Sequence, residues 1–148
     1  MKRLAFCLAM AAGLALSSVA QAADDPIATR KAVMKHVGKS TGALGAIMKG
    51  EADFDPRVAE LAFRTMNGAA LTFANFFPEG SQSGGETTAA PKIWEDSAGF
   101  AAAVAKFEAD TAAAIAAAPA DLDAFKGTFG KVAANCKSCH EAYRVKKN

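Results

Sequence analysis

Proline positions divide this chain into four segments of helical length. Pro26 and Pro56 each follow an aspartate, which is the pattern of a helix start: an aspartate N-cap and a proline at the first helical position. Pro78 and Pro119 stand where two later segments must end, because proline lacks the N–H that a helix interior needs. No convincing strand pattern competes with this periodicity. The chain is therefore expected to be all-α.

The four predicted helices are joined by mostly short links. They cover residues 25–50, 55–77, about 91–118 and 121–145. Residues 79–91 are rich in Gly, Ser and Thr and are predicted to form the one long loop. Gly38, Gly42 and Gly45 weaken the first helix, so its middle should need tertiary support or close packing. This organisation predicts an antiparallel up-down-up-down four-helix bundle.

The first 22 residues have the pattern of an export signal. A short basic start is followed by an apolar run from Leu4 to Leu16, and the segment closes with an A-x-A pattern at Ala22. A run of about 13 residues is too short to cross a bilayer, which takes roughly 20. We expect cleavage after Ala22. Residues 23–148 would then form one domain outside the cytoplasm, without a membrane span.

Removal of this segment leaves a chain with no formal net charge. The whole sequence has 17 Lys and Arg against 15 Asp and Glu, and Lys2 and Arg3 account for the difference. A balanced chain gives no reason to expect a nucleic acid or an anionic membrane as partner. The length of 148 residues fits a single domain and leaves no room for a second full core.

The two cysteines that remain after removal of Cys7 carry the most specific signal. Cys136 and Cys139 are spaced C-x-x-C and are followed at once by His140, which is the attachment signature of c-type haem. Each thiol can add to one vinyl group of the same porphyrin, and the adjacent histidine can supply the proximal nitrogen ligand. A thioredoxin-like dithiol needs a βαβ context, and a zinc site needs four ligands although His36 is the only other histidine. A plain disulfide would make the adjacent histidine a coincidence. One covalently bound haem c per chain is therefore the expected cofactor.

Four stretches of sequence together carry a family resemblance. They are C-K-S-C-H-E-A-Y-R near the C-terminus, R-K-A-V-M early in the first helix, L-G-A-I-M-K-G-E-A-D-F-D around the first turn, and P-K-I-W at the opening of the third helix. With them the chain resembles the class II cytochromes c, the cytochrome c′ family. The resemblance implies a haem between the helices near one end of the bundle, and electron transfer or small-gas binding. An enzyme is not expected. Several relatives dimerise, so a monomer and a homodimer both stay open.

The distal side of the haem separates two subclasses of that family. The resemblance places Met34, four residues after Arg30, at the distal position. Low-spin members of the cytochrome c-556 type have a methionine there, and high-spin cytochromes c′ have an apolar residue. Geometry supports the same residue, since the first helix begins beside the end of the fourth in an antiparallel bundle. Met48 would lie about 21 Å further along the helix, and His36 should face away from Met34. Ordinary core packing of Met34 is the alternative.

Other side chains receive weaker assignments. Arg30 lies one turn before Met34 and is expected to pair with a haem propionate, although a solvated surface arginine is the alternative. Arg144 follows His140 by one turn and resembles an arginine that the family has near the proximal ligand. Aromatic residues at the end of the second helix and the start of the third are expected to line the haem end of the bundle; they are Trp94, Phe73, Phe76, Phe77 and Phe100.

These features favour a periplasmic c-type cytochrome that exchanges single electrons with redox partner proteins. A low-spin haem held by His140 and Met34 keeps six ligands in both oxidation states, and thioether ligation raises the potential. The alternative is a five-coordinate, high-spin cytochrome c′ that binds NO or CO. Peroxidase-like activity has little support, because the sequence offers no additional acid–base histidine at the distal site.

Overall fold

The computed structural model describes residues 25–146, and helices make up most of them. The four long helices are α1 (Pro26–Lys49), α2 (Pro56–Phe73), α4 (Ser97–Ala117) and α5 (Leu122–Tyr143), and α3 is a short turn at Lys92–Glu95. Within the described residues, the only strand-like pairing is an isolated bridge between Ala89 and Arg144. The all-α, four-helix prediction is confirmed. The predicted export signal, residues 1–22, lies outside the described residues.

Every long helix begins at an aspartate whose carboxylate accepts a hydrogen bond from an N–H of the first turn. These aspartates are Asp25, Asp55, Asp96 and Asp121, with donor–acceptor distances of 2.8, 2.8, 3.1 and 2.8 Å. Such caps satisfy N–H groups that have no partner inside the helix. At the other end of α1, Gly50 takes a left-handed conformation, with φ of 74°, that glycine adopts without strain. The local start and stop signals therefore set the helix bounds.

Two predicted helices differ in detail from the observed ones. The second helix ends as α-helix at Phe73, and one turn of 3₁₀-helix (Ala74–Phe76) completes the predicted length. The third is divided at Asp96, whose non-helical ψ of 59° ends α3 while its carboxylate caps α4. Tighter 3₁₀ turns are common at helix ends, where intrahelical hydrogen bonds run out.

The bundle has two apolar clusters, one toward each end. α1 packs on α2, α2 on α4, and α4 on α5, whereas α1 and α5 come close at few points. The first cluster, here called the closed-end core, comprises Val37, Leu44, Ile47, Ala59, Ala62, Phe63, Met66, Ala114, Phe125, Phe129 and Val132. The second, here called the cavity-end cluster, comprises Ile93, Phe100, Val104 and Tyr143. Within residues 25–146, no helix is both long and apolar enough to span a bilayer.

The glycines of α1 face open space. A Cβ atom built at Gly38, Gly42 or Gly45 would meet no other atom within 4 Å. The sequence predicted tertiary support or close packing for the middle of α1. Close packing of these glycines against the rest of the chain is therefore wrong. Support comes instead from the opposite face of α1, where Val37 and Leu44 are buried in the closed-end core.

Candidate functional site

A large cavity opens between α1 and α5 at the cavity end of the bundle. Its volume is about 140 Å³, and it opens to solvent. Its walls are mainly apolar and aromatic, and include Met34, Val37, Phe73, Phe77, Phe100 and Val104. A flat apolar ligand could cover this surface, which the protein itself leaves exposed.

α5 brings the predicted attachment residues into this cavity. Cys136, Cys139 and His140 all line it, because residues three and four apart share one face of a helix. Both cysteines are half-buried free thiols, and burial raises the pKa of each. Burial therefore favours the protonated thiol over the reactive thiolate of a redox dithiol. Among the described residues, no group of three His, Cys, Asp or Glu side chains is placed to hold a metal, so the zinc alternative finds no ligand set there.

His140 lies at the mouth of the cavity with part of its ring exposed. Desolvation by the cavity wall lowers the pKa of this imidazole, and the positive charge of Arg144 lowers it further. The neutral form is favoured at neutral pH, and only a neutral imidazole offers a nitrogen lone pair to a metal.

Met34 approaches the same cavity from the opposite helix. Its half-buried side chain, on α1, lines the cavity and also packs against the closed-end core. Met48, by contrast, is exposed near the far end of α1, and the exposed His36 does not line the cavity. The structure thus brings Met34 and His140 to one space from two helices. Ligation by Met34 itself stays a prediction.

Arg30 is a buried cation at the edge of the cavity. Only 4% of its surface is exposed, so the alternative of a solvated surface arginine is wrong. Its guanidinium donates to Ser81 Oγ at 3.0 Å, the Ser81 carbonyl oxygen at 2.7 Å and Thr87 Oγ1 at 2.8 Å, and lies 4.9 Å from the ring centre of Phe77. Burial lowers the pKa of Arg30, and Asp25 opposes this shift. Arginine still keeps its proton at physiological pH. Arg30 therefore holds the long loop, while its pairing with a propionate stays a prediction.

Trp94 lies behind the cavity wall and does not line it. Its indole N–H donates to the Phe77 carbonyl oxygen at 3.1 Å, and its ring meets that of Phe77 edge-on at 5.9 Å. The structure gives Trp94 a supporting position beneath Phe77, and direct cofactor contact by Trp94 stays a prediction. Of the expected phenylalanines, Phe73, Phe77 and Phe100 line the cavity and Phe76 does not.

Sequence reasoning missed two polar features of the site. Asn135 is buried in the cavity wall next to the first cysteine, and its amide donates to Asp110 Oδ2 at 2.7 Å. The loop is also tied to the end of α5, since Ala90 N–H donates to the Tyr143 carbonyl oxygen at 3.0 Å and Val145 N–H to that of Thr88 at 2.9 Å. A polar residue directly before C-x-x-C-H on an apolar helix face was the one available signal for Asn135.

The donor set and shape of this cavity fit a covalently attached haem. Two thiols one turn apart face an apolar space beside a neutral imidazole, and a thioether lies on the opposing helix. Aromatic rings supply flat apolar walls, and a buried cation lies at the edge where carboxylates could be bound. Fold and site together define a four-helix-bundle haem protein with a C-terminal attachment motif.

Comparison with known proteins agrees with that class. A family model described as Cytochrome C′ matches residues 25–144. Cytochrome c′ of Rhodopseudomonas palustris is 40% identical over 95% of this chain and 97% of that protein, and cytochrome c-556 of Agrobacterium fabrum is 37% identical over 99% of both. The solved structure of the Rhodopseudomonas palustris cytochrome c′ has a TM-score of 0.81 and covers 84% of this chain and 98% of that one, at 40% identity. The chain belongs to the cytochrome c′ family of haem proteins.

Proposed function

We propose that this chain is a periplasmic single-electron carrier with one haem c attached through Cys136 and Cys139. His140 and Met34 are the residues that would bind its iron. The observation that carries the proposal is that Met34 and His140 line the same apolar cavity from α1 and α5. Haem c supplies reversible one-electron exchange between ferric and ferrous iron.

The two cysteines act as the covalent anchor. Each thiol sulfur would form one bond to a vinyl carbon, while the thiol proton goes to the neighbouring carbon of that vinyl group. Protonated, half-buried thiols on one face of α5 suit this addition better than they suit thiolate chemistry. His140 follows directly, so the anchor also holds the imidazole at a fixed place along the helix.

Met34 is suited to close the distal side. Its side chain is unbranched and carries a polarisable thioether, so it can adjust to a ligand position that a β-branched residue could not reach. Apolar residues, including Val37 and Phe107, line the same cavity as Met34. An iron held by both side chains in both oxidation states would need little rearrangement when an electron is exchanged. That property favours electron transfer over ligand binding.

Arg30 and the loop it holds supply the polar edge of the site. The guanidinium retains its charge in a buried place and meets no carboxylate within 4 Å among residues 25–146. We propose that it attracts a propionate carboxylate and thereby orients the cofactor in the cavity.

The proposal includes export, with residues 1–22 removed and redox partner proteins outside the cytoplasm. The basic start, the short apolar run and the A-x-A pattern support it. N-terminal sequencing should then give Ala23 as the first residue, and intact mass should show the haem increment. A first residue of Met1, or a mass without haem, would contradict this part of the proposal.

The test of ligation compares wild type with Met34→Ala and Met48→Ala in the haem-loaded protein. Wild type should be low-spin in both oxidation states and react slowly with CO. Met34→Ala should become high-spin or take a water, bind CO readily in the ferrous form, and show a lower potential because thioether ligation is lost. Met48→Ala, at the exposed far end of α1, is the matched control and should behave as wild type.

The alternative is a five-coordinate, high-spin cytochrome c′ that binds NO or CO at an open iron. It has support from the relative named cytochrome c′, which is as similar to this chain as the relatives named c-556. A wild-type spectrum that is already high-spin, with rapid CO binding that Met34→Ala leaves unchanged, would favour this alternative and refute the electron-carrier proposal.

A further inference from the structure

The charge of α1 is one-sided. The helix contains lysines, an arginine and a histidine but no aspartate or glutamate. Lys31, Lys35 and Lys39 recur every four residues, so they form one stripe along the helix, here called the basic stripe. All three are exposed. A chain whose predicted mature form has no net charge thus concentrates positive charge on one surface.

The lysines of the basic stripe have no local compensation. Like charges four residues apart destabilise a helix, and the other long helices place a carboxylate at that spacing instead. Arg64 pairs with Glu60 at 2.7 Å in α2, and Lys137 with Glu141 at 3.9 Å in α5. Within residues 25–146, no carboxylate lies within 4 Å of a stripe lysine. An unfavourable arrangement of charges without an intramolecular ion pair suggests a use outside the molecule.

The basic stripe begins at the mouth of the cavity. Lys31 lines the cavity and donates to the Gly85 carbonyl oxygen at 2.9 Å, and Met34 lies between Lys31 and Lys35 on the same helix. Across the opening, the mouth is bordered by Arg144, the residue that follows the last turn of α5. The residues that line the cavity include no aspartate or glutamate. An approaching molecule therefore meets positive charge on both sides of the opening.

We propose that the basic stripe and the adjoining cavity mouth form the docking surface for an acidic protein, the redox partner of this carrier. The inference rests on the proposed function and adds the chemistry of the partner to it. Charges of opposite sign speed association over distances of about 10 Å at 0.1 M salt. Docking at this edge would bring the partner to the opening of the cavity that would hold the cofactor.

Two other occupants fit the stripe less well. A helix that binds a lipid surface carries large apolar side chains beside its lysines. The large exposed apolar residue of α1 is Met48, which lies beyond the stripe near the far end of the helix. A second copy of the chain seated stripe against stripe would bring like charges together. An acidic protein surface would pair with the lysines of the basic stripe. It needs no apolar side chains beside them and brings no like charges together.

The test compares two charge reversals of equal size in the haem-loaded protein. Lys35→Glu with Lys39→Glu alters the stripe without touching the cavity wall. Lys49→Glu with Lys126→Glu makes the same change in net charge at the closed end, where both lysines are exposed. Circular dichroism and the haem spectrum should be the same in all three proteins. The probe is an immobilised polyglutamate peptide at low salt, measured by surface plasmon resonance.

The wild-type protein should bind the polyglutamate surface, with affinity that falls as salt rises. The stripe variant should lose about tenfold in affinity, and the closed-end variant about twofold or less. Oxidation of the ferrous protein by the anion ferricyanide should slow in the same order, while oxidation by a cationic cobalt(III) complex should not slow.

Equal losses in the two variants would overturn the proposal, since net charge alone would then explain them. Binding to phosphatidylglycerol vesicles without binding to polyglutamate would also overturn it, in favour of a lipid surface. A protein that exchanges no electron with either small oxidant would refute the proposed function itself, and this result is distinct from a failure of docking.

Discussion

The closed end and the cavity end of the bundle both contain clusters of phenylalanines, but the two clusters differ in what covers their rings. At the closed end, Phe63 and Phe125 are fully buried, and Phe125 stacks on Phe129 at 5.6 Å. At the cavity end, Phe77 and Phe100 meet edge-on at 4.8 Å, yet both also line open space. The first set of rings is covered by the protein alone. The second set forms part of the wall of the cavity.

The two ends also differ in their buried polar residues. Of the buried polar side chains in the described part of the chain, Arg30, Ser81 and Asn135 lie toward the cavity end, and Thr111 lies in the bundle interior. Each has hydrogen-bond partners, as buried polar groups require. Such residues fix positions more than they add stability. The comparison indicates that the closed end holds the fold together and the cavity end holds the site in shape.

The largest expected effect comes from removing the covalent anchor. Cys136→Ala with Cys139→Ala should abolish covalent haem, because no other cysteine among residues 25–146 lines the cavity. Helical structure should persist, since the closed-end core includes neither cysteine. Haem staining of a denaturing gel is the measurement. Ser138→Ala, an exposed residue between the two cysteines, is the control and should keep the stain. A stained band in the double variant would contradict attachment at these residues.

The next prediction separates the stability of the fold from the optical spectrum of the haem. Phe125→Ala removes a fully buried ring that contacts Phe54, Phe63 and Phe129. It should lower the free energy of unfolding by about 3–5 kcal/mol, and leave the haem spectrum unchanged. Denaturant unfolding followed by circular dichroism, together with an optical spectrum, measures both. Phe77→Ala, in a half-buried cavity wall, should cost less stability and alter the spectrum. The reverse pattern would show that the two ends do not divide these roles.

A smaller effect concerns the hydrogen bond between Asp110 and Asn135 in the cavity wall. The amide of Asn135 and the ammonium of Lys106 hold the pKa of Asp110 below its usual value. Because the folded pKa is the lower one, this contribution is present above the unfolded pKa of about 3.9 and is lost as pH falls through the folded value. Asp110→Asn should therefore cost about 1 kcal/mol at neutral pH, and the difference from wild type should vanish in acid. Denaturant unfolding across pH measures it. A difference independent of pH would contradict this account, and Glu108→Gln on the same helix is the control.

The smallest expected effect lies on the open face of α1. Gly38→Ala should stabilise the protein by about 0.5–1 kcal/mol, because alanine restricts the unfolded chain and its Cβ meets no atom within 4 Å. Thermal unfolding of the haem-loaded protein measures the gain. Gly50→Ala is the matched control and should destabilise, since Gly50 has a positive φ of 74°. A loss at Gly38 would show that another molecule packs on this face in solution.

The sequence by itself determined the features that depend on near neighbours in the chain. Aspartate caps and prolines predicted the helix starts, since a cap satisfies N–H groups only two or three residues away. The spacing of Cys136, Cys139 and His140 predicted a common helix face, because helical periodicity puts such residues together. The antiparallel order of the helices then predicted that Met34 would meet the same cavity. Each of these inferences needs only local geometry and the connection order.

Tertiary structure alone decided what the buried polar groups contact. Arg30 was placed near the cofactor by sequence, but its partners Ser81 and Thr87 lie in a loop without periodic pattern, about 50 residues away. Trp94 was expected at the cavity and lies behind Phe77, because a carbonyl oxygen there satisfies its indole N–H. A buried donor must find an acceptor wherever the assembled fold offers one. That acceptor is set by how distant segments pack, which no local pattern records.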